Sequence, residues 1–333
     1  MTTQTTISVW DSAGRISHRP WRGWKNIFQN RKSKISNLQS LISNSPMLRL
    51  SRPLNLLLAA LTYILGASIP AYLGRPFQLA SFALGLASIL LAQASMALLG
   101  EVFRPHNEPL VEGETPQQKE TLRNNMLYIS VGMIATIAFI AFIIYLNSTL
   151  TLSSFLFLLS SFILVFAYAI PPIRLMDRGF GELILAAHIA YVVPSIGFLL
   201  QVGENHRLLF VLATPLIALG LAYFLILNFV TFQSDQKYQR GTLLRRLTWE
   251  RAVPLHHSLV AFAYVMYALA PMLGFSFNLI WPAFLTLPFA VFQIIQLRAI
   301  ANGNPPNWKL LTSTALAVFG LTTYFLTLTF WLR

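Results

Sequence analysis

Along the chain, apolar runs long enough to cross a bilayer alternate with short polar connections. A spanning helix needs about 20 mostly apolar residues, and nine such runs are present, near 54–73, 77–99, 126–146, 151–170, 183–201, 209–230, 254–275, 279–297 and 310–331. The pattern predicts an all-α polytopic membrane protein, a bundle of nine transmembrane helices over residues 54–333. Residues 1–53 are polar and basic and form a separate N-terminal segment.

The connections after spans one, three and seven are tiny, whereas those after spans two, four, six and eight are longer and more polar. Every Lys and Arg except Arg75, Arg207 and Arg333 lies in the N-terminal segment or in these four connections and their edges. Because cations concentrate on the cytoplasmic side of membrane proteins, the N-terminus is expected to be cytoplasmic and the C-terminus on the opposite side.

Composition narrows the chemistry. Hydrophobic residues make up 55% and charged residues 11%, against about a quarter charged in a soluble domain. Topology and attraction to the bilayer account for the net charge of +13, and no groove-reading element points to nucleic acid. With no cysteine, a metal would have to be held by oxygen or imidazole. In the N-terminal segment, nine cations face the single acid Asp11, and Trp21, Trp24, Ile27 and Phe28 can share one helix face opposite them. That suits an anionic membrane surface or a membrane-protein partner; a solvated basic tail has the same composition.

Three connections on the cation-rich side hold enough polar groups for a site. Residues 100–125 contain Glu101, Glu108, Glu112, Glu114 and Glu120 against Arg104, Lys119 and Arg123. Oxygen donors at this density suit a divalent metal. Equally, Glu112, Glu114 and Glu120 fit a solvated turn in which Thr115 caps a helix with Pro116 in its first turn. Glu101 and Arg104 are three apart, on one helical face where span two leaves the membrane. After span four, Pro171 and Pro172 must end the helix near Ile170, leaving Tyr168 and Arg174 at the mouth of the bundle, or simply in a structural hairpin. After span six come Asn228, Thr231, Asp235, Lys237 and Arg240, a mixture that suits an anionic phosphate as well as it suits topology alone.

Together these loops resemble the UbiA superfamily of intramembrane prenyltransferases. LNFVTFQSDQKYQRGTLLRRLTWERA is similar, without a gap, to the family pattern NNFxDxExDxxxGxRTLxVRLGxExA. YAIPPIRLMDRGFGELILA is similar to YSxPPLRLKxRGxGELxLA, RPLNLLLAALTYILGA to the family's opening helix, and NEPLVEGETP to DRPLxSGxIS. The resemblance covers about residue 52 to the C-terminus and implies nine helices around a central cavity. It also implies an isoprenoid ligand, with two aspartate-rich motifs holding Mg²⁺ against its diphosphate.

The departures fall on those motifs. Where the family has NDxxDxxxD, this chain has GEVFRPHNE, with Glu101 at the first Asp and Arg104 at the second; the third is lost. In the second motif Thr231 stands at the first Asp, Gln233 at the Glu, and only Asp235 remains, while Glu108 stands where an arginine is expected. The resemblance therefore implies one Mg²⁺ at most, held by Glu101 and Asp235 as the catalytic and metal-ligating pair. Arg104, Arg174, Lys237 and Arg240 are the diphosphate-binding residues and supply the missing positive charge. Asn55, Gln93, Tyr168, Asn228 and Thr231 are the implied cavity residues. Three functions fit: a divergent prenyltransferase with a weakened Mg²⁺–diphosphate site, a related isoprenoid reaction such as cyclisation, or a non-catalytic homologue that binds lipid or serves as a subunit of a membrane complex. Within the spans, His188, Gln293 and Gln296 are expected to form hydrogen bonds between helices.

Overall fold

The structure is a computed structural model that describes residues 9–10, 16–17, 46–105, 107–147, 150–204 and 206–332. In the N-terminal segment, Val9–Trp10 pairs antiparallel with Ile16–Ser17; the aromatic and basic residues 19–34 lie outside the described residues. The region from Leu50 onward forms one compact unit.

Among the described residues, nine helices are long and apolar enough to cross a membrane: Pro53–Tyr72, Leu79–Val102, Pro116–Leu146, Leu152–Ala169, Gly181–Val202, Arg207–Lys237, Leu243–Leu273, Phe277–Ala301 and Trp308–Trp331, spans one to nine. The predicted runs match these spans one for one. Span three starts at Pro116, ten residues before its apolar run, because Thr115 and Gln118 form a reciprocal capping box that satisfies two otherwise orphaned N–H groups. Span six runs on to Lys237 and span seven begins at Leu243, so most of the expected loop 231–253 is helix. No proline or glycine lies between Thr231 and Gln239 to stop it, and i→i−4 bonding need not end where the membrane does.

Spans five and six lie at the centre, with 78% of their apolar windows buried, whereas span three is 17% and span four 28% buried. Phe139, Phe142 and Tyr145 of span three are accordingly exposed, as suits a helix facing lipid. Spans one and five approach closely through two glycines. A Cβ on Gly66 would stand 1.9 Å from the Pro194 carbonyl oxygen, and one on Gly197 2.4 Å from that of Tyr63, so only a residue without a side chain fits either position.

Span five is interrupted by a π-helical turn, His188–Val192, just before Pro194. The turn carries His188 into the interior, where its Nδ1 lies 3.1 Å from Gln93 Oε1 and its Nε2 2.8 Å from Ser161 Oγ. An amide oxygen only accepts, so Nδ1 carries the proton and Nε2 accepts from the serine. Spans two, four and five are thus joined at one imidazole. Between spans seven and eight, Gln293 lies 2.9 Å from His256, and Thr314 of span nine donates to Gln296 at 3.5 Å.

Candidate functional site

The polar residues of the longer connections converge on an unbroken chain of ion pairs. At the end of span two, Glu101 pairs with Arg104 one turn on and with Arg52 Nη2 at 3.3 Å. The other terminal nitrogen of Arg52 donates to the Tyr168 hydroxyl at 3.1 Å. Arg104 Nη1 then reaches Glu108 Oε1 at 3.1 Å. Arg240 Nε donates to Glu108 Oε2 at 3.0 Å, while its Nη2 takes Oε1 and its Nη1 contacts Asp235 Oδ1 at 3.1 Å. The second oxygen of Asp235 accepts from Thr231 at 2.8 Å. The order Arg52, Glu101, Arg104, Glu108, Arg240, Asp235 therefore runs from span one to span six, three cations against three carboxylates.

The two kinds of charge are not equally wet. Glu101, Glu108 and Asp235 are 3%, 1% and 1% exposed, whereas the arginine side chains keep between 16% and 36% of their surface. Guanidinium groups are weakly hydrated and match carboxylates with a planar fork, so they form the outer layer over buried anions. Burial, reinforced by the neighbouring Arg104 guanidinium, pulls the pKa of Arg240 down to about 10, which leaves it charged at neutral pH.

Local bonds fix the loop that presents Glu108. Arg104 donates to the Pro109 carbonyl at 3.0 Å and Lys119 to that of Glu108 at 2.5 Å. The Glu114 carboxylate closes the turn by accepting from the backbone N–H groups of Leu110 and Val111 at 2.7 and 3.1 Å. Glu112 and Glu120 are exposed. Of the two readings of this acidic stretch, the capped turn is the one the structure adopts.

Arg174 sits behind the network. Its guanidinium donates to the carbonyls of Gly100, at 3.3 Å, and Phe103, and pairs with Asp177 at 2.5 Å. It thereby satisfies carbonyls at the C-terminal end of span two, a favourable place for a cation. The connections after spans four and six touch: a Cβ on Gly241 would stand 1.6 Å from the Asp177 carbonyl oxygen. Gln239 and Thr248 adopt positive φ, 56° and 63°. They occupy the two glycine places of the family pattern given above, so the backbone keeps a glycine-type conformation although the side chains have changed.

The expected site residues thus separate. Glu101, Arg104, Asp235, Arg240, Thr231 and Tyr168 are brought together. Lys237 is exposed, with its ammonium 5.2 Å over the Tyr238 ring, outside the ion-pair chain. Asn55 is buried on span one, three residues from Arg52. Gln93 is engaged with His188 in the bundle interior. Two residues near the network were given no part in binding by the sequence reading, Arg52 and Glu182, and Glu108, read only as one of five carboxylates suited to a metal, is paired with two arginines. Glu182, 7% exposed, accepts from Asn228 Nδ2 at 2.6 Å. The readable signal was a carboxylate in the first turn of a membrane-spanning helix, a position whose charge needs a reason.

Magnesium is held by hard oxygen donors in near-octahedral array. Here Glu101 is taken by Arg52 and Arg104, Glu108 by Arg104 and Arg240, and Asp235 by Arg240 and Thr231. Among the described residues no three His, Asp or Glu are grouped so as to hold a metal ion. Each of these carboxylates is thus paired with at least one guanidinium.

Nine spans whose cation-rich connections meet at one end define a multi-pass membrane protein with its polar site at that end. No family model and no curated relative matches the chain. Solved structures do. A UbiA homolog from Archaeoglobus fulgidus bound to DMAPP and Mg²⁺ superposes with a TM-score of 0.61 at 18% identity, over 85% of this chain and 99% of that one. The same homolog bound to GPP and Mg²⁺ gives 0.57, again at 18% identity and over the same shares. A digeranylgeranylglyceryl phosphate synthase gives 0.61 at 13% identity, over 86% of this chain and 98% of that one. The protein has the UbiA fold.

Proposed function

We propose that this protein handles an isoprenoid lipid of the prenyl-diphosphate type, with the hydrocarbon among the spans and the polar end at the ion-pair chain, on the cytoplasmic side. The observation that carries this reading is the convergence of Arg52, Arg104 and Arg240, with Tyr168, at one end of a fold whose neighbours are bound to DMAPP and GPP. Guanidinium forks suit phosphate oxygens. Prenyl transfer to a lipophilic acceptor is the reaction such a site supports, with fixed cations taking the charge that develops on the leaving diphosphate. Glu101 and Asp235 then act by positioning arginines.

The balance of three carboxylates against three guanidiniums favours a second reading, a non-catalytic lipid-binding or structural subunit, because a neutral network offers less attraction to a dianion than an uncompensated one. Thermal unfolding of the detergent-purified protein with geranyl diphosphate, in Mg²⁺ or in EDTA, separates the two. Stabilisation that survives EDTA and is lost in Arg104→Gln is the expected result. No stabilisation in either condition would leave the subunit reading.

A further inference from the structure

The cation-rich end of span six has two working faces. Thr231 and Asp235, four residues apart, share the face turned to the ion-pair chain. Phe232 and Gln236, each one residue further on, share the neighbouring face. This second face meets the first turns of span seven around a cavity of about 450 Å³, lined by Phe232 and Gln236 on one side and by Arg245, Trp249 and Glu250 on the other. Gln236 and Glu250 are exposed, so the cavity opens at the surface.

Its walls differ in character. Trp249 is held edge to face by two rings of span six, Phe229 at 4.6 Å and Phe232 at 5.8 Å between centroids. It stands a little over one turn before the apolar run 254–275, where an anchored tryptophan suits the boundary between hydrocarbon and headgroups. Arg245 donates one N–H to the Arg240 carbonyl at 2.6 Å, which orients the guanidinium and leaves its remaining donors for a ligand. Glu250 is the one carboxylate of the lining, and one of its oxygens accepts from the Thr248 hydroxyl. The cavity therefore presents one positive group, one negative group, an aromatic ring, and apolar surface from Phe232 and Leu244.

We propose that this cavity binds the headgroup of a zwitterionic aminophospholipid, phosphatidylethanolamine, with the phosphate on Arg245, the ammonium between Glu250 and Trp249, and the glycerol end of the chains along Phe232 and Leu244. A guanidinium fork matches phosphate, and an ammonium gains from both a carboxylate and an indole face. An anionic headgroup without an amine would leave Glu250 facing a like charge, and a choline headgroup would offer Glu250 no N–H. Because Arg245 grips the carbonyl of Arg240, the bound lipid braces the turn that presents Arg240 to Glu108 and Asp235. This site stands whether or not the ion-pair chain takes a diphosphate.

Native mass spectrometry of the full-length protein released from detergent counts bound lipid directly. Dioleoyl phosphatidylethanolamine, phosphatidylglycerol and phosphatidylcholine are titrated one at a time into wild type, Arg245→Gln and Glu250→Gln. Wild type should bind one phosphatidylethanolamine about tenfold more tightly than either other lipid, the factor that one hydrogen bond to a charged group supplies. Arg245→Gln should weaken that binding about tenfold. Glu250→Gln, which keeps an acceptor for Thr248, should erase the preference over phosphatidylglycerol. Equal binding of the three lipids by wild type, or a preference that survives both substitutions, overturns the proposal. So does a wild-type preference for phosphatidylglycerol, which would mean a basic surface attracting an anionic leaflet. Inorganic phosphate in large excess should leave the lipid bound; displacement would mean a site for free anions and would also refute the lipid assignment. Each variant is judged by its ratio between lipids, which a partial loss of folded protein does not change, and the wild-type ratios decide alone if a variant does not fold.

Discussion

Among the described residues, two of the buried polar constellations that join helices are built on opposite principles. At the membrane edge, six charged groups from spans one, two and six and their connections neutralise one another in a chain. In the interior, Gln93, His188 and Ser161 join spans two, four and five with no formal charge at all. The difference follows from solvent. Arginine can cover a buried carboxylate where its outer side reaches water, whereas in the middle of the bundle neutral groups avoid the cost of an ion in hydrocarbon. The interior group fixes helices; the edge group has donors left for a ligand.

The comparison is broken most directly at Glu108, the carboxylate shared by two arginines. Glu108→Ala leaves Arg104 and Arg240 each short of a partner, and removing one member of a buried ion pair costs about 3 to 5 kcal/mol; with the arginines partly exposed, the lower end is expected. Unfolding in detergent micelles should show this loss, and a cost below that of the interior variant would mean that the network contributes little. Gln93→Leu removes the acceptor of His188 Nδ1 and should cost about 1 to 2 kcal/mol, with no dependence on salt; a salt-dependent loss there would erase the distinction drawn between the two sites. The smallest effect sharpens it from outside. Thr248 holds φ 63° and ψ 168° within span seven, a region nearly confined to glycine that costs a β-branched residue about 1 to 3 kcal/mol. Thr248→Gly, after glycine's own entropic cost, should raise stability by about 1 kcal/mol without disturbing either constellation; a fall in melting temperature would refute the strain.

Much of this was legible in the chain. The apolar runs give nine spans because no other arrangement satisfies their backbone groups in lipid. Thr115 and Pro116 mark a helix start, and the pair Glu101 and Arg104 follows from helical spacing alone. The helix ends around span six were not legible, because polarity marks the edge of the membrane and not the end of the hydrogen-bond ladder. Neither was Glu108. Its partner Arg240 is 132 residues away, and nothing local to either residue signals the other. Arg174, read as a ligand to phosphate, turns inward to the carbonyls of span two, a use that depends on the left-handed turn at its own backbone (φ 31°).

The sequence by itself determined the number of spans, the side on which the cations gather, and the loss of carboxylates from two motifs of the resemblance, since these depend on residue identity and on periods of a few residues. Only the tertiary structure decided which groups surround the surviving carboxylates. A carboxylate becomes a metal ligand or an arginine's partner according to which cation lies within a few ångströms of it, and burial, by lowering the dielectric around it, makes that neighbour decisive.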